Sequence, residues 1–383
     1  MSADVPADRE GDDGTPWPVW PDAFAEATAD RRAVLVLSAL RGITPRRLLA
    51  LAVEHGPASA VLAEIRAGRA GSQNDRAYAN ELDAERIASA VAAAGARVVP
   101  WGSPEYPAQL RHIHDPPAVL YVLGDPPPDP TSAIAVVGAR RCTDLGRELA
   151  REIGRTLGLA GVTVVSGAAR GIDAAAHRGA LDASGRTLAV MGCGIDVVYP
   201  PGSRALIARI RDSGTILSEH APGTPPVQRN FPARNRIVAG LCRGSVVVEG
   251  ANGSGSMITA EHAMEFGRDV YAVPGSVTSA LSAVPLQLIR DGATMIRHAE
   301  DLLEDLGLEL NADRVADQIE LSDDERRVLA RLAGPTLPDG VADAVGRGVP
   351  ETVAVLMRLE LRGLVRNVGG RFESTLRGSA VSR

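Results

Sequence analysis

Not one of the 383 residues is lysine: all 41 cationic side chains are arginine. A phosphate-binding loop of the G-x-x-x-x-G-K-[ST] type is therefore excluded. Aromatic residues make up only 3% of the chain, so a nucleic-acid surface built mainly on base stacking has little material to work with. The three cysteines, Cys142, Cys193 and Cys242, are odd in number and follow no C-x-x-C spacing. They exclude a disulfide framework or a cysteine-based zinc site, and each reads as a small buried hydrophobe in a cytoplasmic protein. No stretch of 18 uncharged apolar residues occurs, and the opening MSADVPADREGDDGTPWP is acidic rather than a basic segment followed by an apolar one. Neither a membrane span nor a secretory signal is expected.

What the chain does have is arginine in a particular place. The net charge is −6, but residues 131–300 carry 18 Arg against 14 Asp and Glu, while the first 30 residues are acidic. The charge distribution thus opposes the total, and arginine is the side chain that grips phosphate with a bidentate fork.

The apolar pattern divides the chain. Residues 1–30 lack periodicity and read as a disordered acidic leader. Residues 31–100 show helical spacing around the break RGITPRR, whose turn could aim N–H groups at a DNA phosphate or simply pack two helices. Residues 101–130 are proline-rich and predict a linker with one edge strand. From 131 to 307, short apolar runs (AIAVVG, VTVVSG, TLAVMG, TILSE, SVVVEG, DVYAVPG, ATMI) alternate with helical segments such as DLGRELAREIGRTLGLA. This alternation predicts a doubly wound, mostly parallel Rossmann-like sheet in an α/β domain. Residues 320–376 read as helix, helix and a Gly-Gly hairpin, a winged helix that contacts DNA or, as favoured here, contacts another protein or is a degenerate module.

In an open parallel sheet, ligands sit beyond the carboxyl ends of the strands. Here those ends carry Gly138-Ala139-Arg140-Arg141, Ser166-Gly167-Ala168-Ala169-Arg170-Gly171, Gly192-Cys193-Gly194, and Gly250 through Gly253, Ser254, Gly255 and Ser256. Four glycine-bearing turns should converge on one rim and let backbone approach a phosphate. The G-x-G-x-x-G fingerprint is absent, which disfavours an ordinary dinucleotide site. In PPVQRNFPARNRIVAGL, Arg229, Arg234 and Arg236 lie within eight residues without an acidic neighbour. Left unpaired in a fold they would be costly, and a bound polyanion would resolve this, although one or two could instead pair with Asp173 or Glu249. A triad of Ser166, His177 and Asp173 can be drawn, but no nucleophile elbow supports it, and Asp173 with His177 four residues on reads better as helix stabilisation. Glu261 is a weaker candidate base toward a nucleotide sugar.

The segments VVGAR, SGAARGIDAAAHRGAL, AVMGCGIDVVYPPGSRAL, FPARNRIVAGL and VVEGANGSGSMITAEHAMEFGRDVYAVPG together resemble the DNA-processing protein A (DprA/Smf) family. The likeness is dense from Ala133 to Gly292, and YPAQLRHIHDPPAVLYVLGD is similar to the segment that precedes the family's Rossmann domain. The resemblance implies a non-enzymatic single-stranded DNA binder with a SAM-like amino-terminal domain and a winged-helix tail. It also implies dimerisation through the Rossmann domain and loading of RecA recombinase during natural transformation. No cofactor, metal or membrane partner is implied. Carried onto this chain, DNA contacts fall on Arg140, Arg170, Arg204, Arg234, Asn235 and Arg236. Phosphate-holding turns fall on Gly138, Ser166, Gly167, Gly171 and the loop Gly253, Ser254, Gly255 and Ser256. Val284-Pro285-Leu286 departs from the family pattern, and the proline should cost a donor in whatever contact that turn serves. The alternative is an enzyme or sensor for a phosphate-bearing nucleotide derivative.

Overall fold

The computed structural model describes residues 20–40, 42–127, 132–317 and 319–382. Five helices open it: Thr28–Ala39 (α1), Pro45–His55 (α2), Ala58–Ala67 (α3), Gln73–Glu81 (α4) and Ala84–Ala93 (α5). Residues 1–19 of the expected leader lie outside the described residues, and the remainder of that leader is ordered. Trp20 and Phe24 are buried, with ring centroids 4.4 Å apart, and Trp20 Nε1 donates to Pro116 O at 3.0 Å. Burying each such ring is worth roughly 3 kcal/mol, which offsets a large part of the ~1–2 kcal/mol per residue that ordering the segment costs. At the RGITPRR break, the Gly42 N–H donates to the buried Asp75 carboxylate at 3.1 Å, and Thr44 caps α2. One N–H of the turn is thus held within the helical domain, while Gly42 and Thr44 themselves are exposed.

Among the described residues, nine strands form one sheet. They are Arg97–Pro100 (β1), Val119–Gly124 (β2), Ala133–Val137 (β3), Thr163–Ser166 (β4), Thr187–Met191 (β5), Thr215–Ser218 (β6), Gly244–Val247 (β7), Asp269–Ala272 (β8) and Thr294–Met295 (β9). Their order is β1-β2-β6-β5-β4-β3-β7-β8-β9. All seven predicted runs from 133 onward are strands and pair in parallel. The proline-rich stretch is a correction: β2 is not an edge strand, because it pairs antiparallel with β6 on one side and β1 on the other. The sheet unit thus begins at residue 97, inside what the sequence pattern assigned to the helical domain. Val119 to Val122 are fully buried, which explains the insertion: an apolar run of this kind gains more between two strands than at a solvated edge. Ser38 Oγ and Tyr121 OH, 2.7 Å apart, tie α1 to β2.

Helices Asp144–Leu159 (α6), Ile172–Asp182 (α7), Arg204–Ser213 (α8), Asn230–Gly240 (α9), Gly255–Glu265 (α10), Ala283–Arg290 (α11) and Ala299–Leu306 (α12) cover the two faces. Strand order reverses at β3, whose neighbours are β4 and β7, and this is the switch point where such folds open a crevice. On α6, Ile153 and Leu157 face the core, whereas Leu145, from the same predicted stripe, is exposed because it lies in the first turn beyond the sheet.

Ala312–Ala316 (α13) leads to Asp323–Leu329 (α14), Pro338–Val345 (α15) and Val349–Leu361 (α16), then Val365–Val368 (β10), Arg371–Ser374 (β11) and Leu376–Ser382 (α17). Gly369 and Gly370, both at positive φ, make the hairpin turn as expected of a wing, since side chains resist that conformation at two successive residues. This winged-helix core includes Leu159 and Ala183 at the far ends of α6 and α7. It therefore docks at the amino-terminal side of the sheet, opposite the crevice. No single helix among the described residues is long and apolar enough to cross a membrane.

Candidate functional site

The crevice at the β3/β7 switch point encloses about 440 Å³. The turn after β3 supplies Gly138, Ala139, Arg140 and Arg141, and the turn after β4 supplies Gly167 and Ala169. The loop after β7 supplies Gly253, Ser254, Gly255 and Ser256, and α9 supplies Phe231, Arg234 and Asn235. Three of the four predicted turns therefore converge. The fourth does not line the crevice: Gly192 lies beneath Phe231, where an added Cβ would stand 2.9 Å from the ring.

The close approach of these loops has a steric cause. Gly171, at φ +82°, packs so tightly on the β3 turn that a Cβ there would fall 2.2 Å from Ala139 O. Gly167 leaves room for a guanidinium, since its Cβ would meet Arg234 Nη1 at 1.8 Å. Arg234 is buried and donates from Nη1 to Val190 O at 2.7 Å. Asp173, also buried, accepts from the N–H groups of Gly167 (3.1 Å) and Ala169 (3.3 Å). Burial raises the Asp173 pKa against the pull of Arg234 and these N–H donors, and burial lowers that of Arg234 against the pull of Asp173. The two form the floor of the crevice rather than its charged lip.

At the lip, Arg140 and Arg141 are exposed, and among the described residues neither pairs with a carboxylate. The nearby Glu249 is occupied elsewhere, accepting from Thr143 N (2.9 Å) and Thr143 Oγ1 (2.6 Å). Arg140 lies over Phe231 with 5.7 Å from Cζ to the ring centroid, and Tyr199 packs on Phe231 at 5.1 Å. Helix α10 points its amino terminus into the crevice. Its N-cap Ser254 makes no side-chain capping bond and shares a 2.6 Å contact with Ser256 Oγ instead; of the first-turn N–H groups, that of Met257 donates to Ser254 O at 3.2 Å. Asn235 Nδ2 donates to Gly255 O at 3.0 Å and anchors that loop to α9.

Several predicted residues fall elsewhere. Arg236 is the plainest correction: it is buried, and its fork binds Glu219 at 2.9 and 2.6 Å, while Nε donates to Asp115 O at 2.7 Å. On α9, Arg234 and Arg236 are two residues apart and so point in different directions, one to the crevice and the other to the junction with the amino-terminal helices. Ser166 is fully buried and donates to Val136 O at 2.7 Å, so it is not a phosphate-facing hydroxyl. Gly171 spaces the loops and does not line the crevice. Arg170, exposed on the same turn, and Arg204, exposed at the start of α8, do not line it.

The Ser166, His177, Asp173 triad does not assemble. Thr187 Oγ1 gives its proton to Val164 O (2.7 Å), so His177 Nδ1–H must donate to Thr187 (2.6 Å). Burial holds the imidazole neutral, with its pKa lowered to about 3. Asp173 and His177 thus serve separate networks. Glu261 is exposed, sits in the second turn of α10 rather than the first, and does not line the crevice. Pro285 occupies the first turn of α11, where its missing N–H would have no intrahelical partner anyway, and Val284 is buried against the Gly250 loop through Val284 N to Gly250 O at 2.9 Å. The departure is filled by core packing.

Sequence reasoning did not single out Arg141, Phe231 or Tyr199 as site residues. Arg141 was signalled only by adjacency to Arg140, and the aromatic pair by nothing local.

The fold and crevice define a multidomain Rossmann-like protein with an anion-receptive switch point and a winged helix on the opposite side. The chain belongs to the DNA recombination-mediator protein A family, whose profile matches residues 97–307, and the DprA winged helix domain matches residues 312–371. It is similar to Protein Smf of Escherichia coli (strain K12), 37% identical over 75% of this chain and 79% of that protein. It is 40% identical to the putative DNA processing protein DprA of Mycobacterium tuberculosis over 69% of this chain and 70% of that one. The X-ray structure of DprA from Streptococcus pneumoniae superposes with a TM-score of 0.62 at 34% identity, covering 73% of this chain and 98% of that one.

Proposed function

We propose that the crevice grips the phosphate backbone of single-stranded DNA without cutting it, and that the protein acts as a cytoplasmic recombination mediator. The observation that carries this reading is a pair of exposed arginines, Arg140 and Arg141, without carboxylate partners among the described residues, beside a helix amino terminus with no side-chain cap. Guanidiniums take phosphates and release counterions, so affinity falls steeply with salt, with a log–log slope of about 0.7 per phosphate contacted on a single strand. Phe231 and Tyr199 add room for one or two stacked bases. Sequence preference is accordingly weak.

Dimerisation through the sheet domain and delivery of the strand to RecA recombinase follow from the family resemblance. The winged helix, away from the crevice and exposing Met357 and Leu361 four residues apart on α16, suits a protein contact better than a strand. Its helix and the remote crevice leave strand binding to the sheet domain.

Fluorescence anisotropy with oligonucleotides of roughly 20–40 nucleotides, a few multiples of known site sizes, tests the reading. Single strands bind more tightly than duplex, and Arg140→Ala weakens binding and lowers the salt slope by about one contact without lowering thermal stability. Equal affinity for duplex, or an unchanged slope, would overturn it. The crevice volume also suits a mononucleotide, and this keeps a second reading in view. A mononucleotide that binds as tightly as the strand and loses its base in the crevice would establish that one instead.

A further inference from the structure

Two of the seven histidines meet within the sheet unit, beside its junction with the amino-terminal helices. His114 lies in the segment that enters β2, and His262 lies on α10 one helical step before Glu265, so those two side chains share a face. His262 Nδ1 stands 3.0 Å and His114 Nδ1 3.7 Å from Glu265 Oε2, and the three ligand atoms all lie within 4.8 Å of one another. A tetrahedral zinc centre with bonds of about 2.0–2.2 Å sets its ligand atoms roughly 3.3–3.5 Å apart, which the two carboxylate spacings bracket.

The surroundings hold this geometry. Phe266 stacks on His262 with an interplanar angle of 8° and a centroid separation of 5.8 Å, and it lies 5.3 Å from the His114 ring. The His114 segment is fixed on its other side by Trp20 bonding to Pro116 O and Arg236 bonding to Asp115 O. Side-chain exposures of 29% for His114, 19% for His262 and 52% for Glu265 leave one side of the cluster open to water.

We propose that His114, His262 and Glu265 bind a divalent transition-metal ion of the zinc class, with solvent completing the shell, and that the ion clips the segment before β2 to helix α10. Two imidazoles and one carboxylate suit zinc and its neighbours in the first transition row. Calcium and magnesium, which take oxygen ligands, are disfavoured. His114 and His262 also line a cavity of about 430 Å³ between the amino-terminal helices and the sheet, so the ion would stiffen the sheet-side wall of that cavity. The site is independent of the arginine crevice, and its failure would leave the strand-binding reading untouched.

The test is a titration of the metal-free full-length protein with Zn²⁺ by calorimetry, and with Co²⁺ followed by its visible absorption. The site predicts one saturable equivalent, tetrahedral-type cobalt bands, and a higher melting temperature for the zinc-loaded protein. His262→Ala, His114→Ala and Glu265→Gln should each weaken binding at least ~100-fold, because outer-shell partners alone are worth ~10–100-fold. His298→Ala, which removes an imidazole beside Glu300 and Asp301, should change nothing. Melts of the metal-free variants check folding, and Glu265→Gln, at a half-exposed position, keeps the test open should a histidine variant unfold. No saturable binding, binding that survives Glu265→Gln, or equal loss in His298→Ala would show that Glu265 merely pairs with two imidazoles.

Discussion

Replacing Arg236 with methionine separates the fold from the site. The side chain is 4% exposed, donates to both oxygens of Glu219, and sits 3.3 Å from Asp115 Oδ2. Removing one partner of such a pair leaves a buried carboxylate uncompensated, at a cost of about 3–5 kcal/mol. For a sheet unit of this size, roughly 2–4 °C is lost per kcal/mol, so the melting temperature should fall by roughly 6–20 °C.

The pH dependence carries the sign. Burial disfavours the Glu219 carboxylate, but Arg236 outweighs it and the net pKa lies below the ordinary 4.5. In the parent protein the pair's contribution is therefore complete above about pH 4.5 and is lost as pH falls through the depressed value. In the variant, Glu219 has burial without its guanidinium, and its pKa rises. The gap between variant and parent is then widest near neutrality and narrows on acidification as Glu219 takes up a proton. Calorimetric or urea melts between pH 7 and 5 measure this, and Arg236→Met with Glu219→Gln should recover part of the loss, the remainder belonging to Asp115, which also loses its guanidinium. A variant that melts with the parent but no longer binds single strands would refute the reasoning and return Arg236 to the DNA surface.

Three further outcomes are expected. Gly167→Ala should displace the Arg234 guanidinium, which a Cβ would meet at 1.8 Å, and cost about 1–3 kcal/mol by overpacking; an unchanged urea midpoint would contradict that geometry. His177, neutral in the fold with a pKa of about 3 and burial as the chief cause, makes stability decline as pH falls from about 6.5 toward 3. The decline approaches about 1.4 kcal/mol per pH unit, and His177→Asn should remove one proton's worth of it in paired melts. Trp20→Ala should cost about 3–5 kcal/mol in denaturant titrations, an effect that a disordered leader could not show.

Much of the architecture was legible because periodicity is a local property. Seven β-branched runs separated by helical stretches announced the parallel strands, and the Gly-Gly turn announced the wing. β2 was misread because proline-rich flanks resemble a linker, whereas its place between β1 and β6 depends on partners far away in the chain. Trp20 and Phe24 were hidden by an acidic leader for a related reason: two aromatic residues give no periodic signal.

For the site, the sequence by itself determined which backbone turns end the strands and that arginine alone supplies their positive charge, since glycine placement and residue type are written locally. Only the tertiary structure decided what each arginine faces. Arg234 and Arg236 are close neighbours in the chain, yet helix geometry turns one toward the crevice floor and the other toward Glu219 and Asp115. The same holds for His114 and His262, whose meeting depends on how the segment entering β2 packs against α10. Burial and pairing are properties of a surface assembled from distant segments, and no local pattern encodes them.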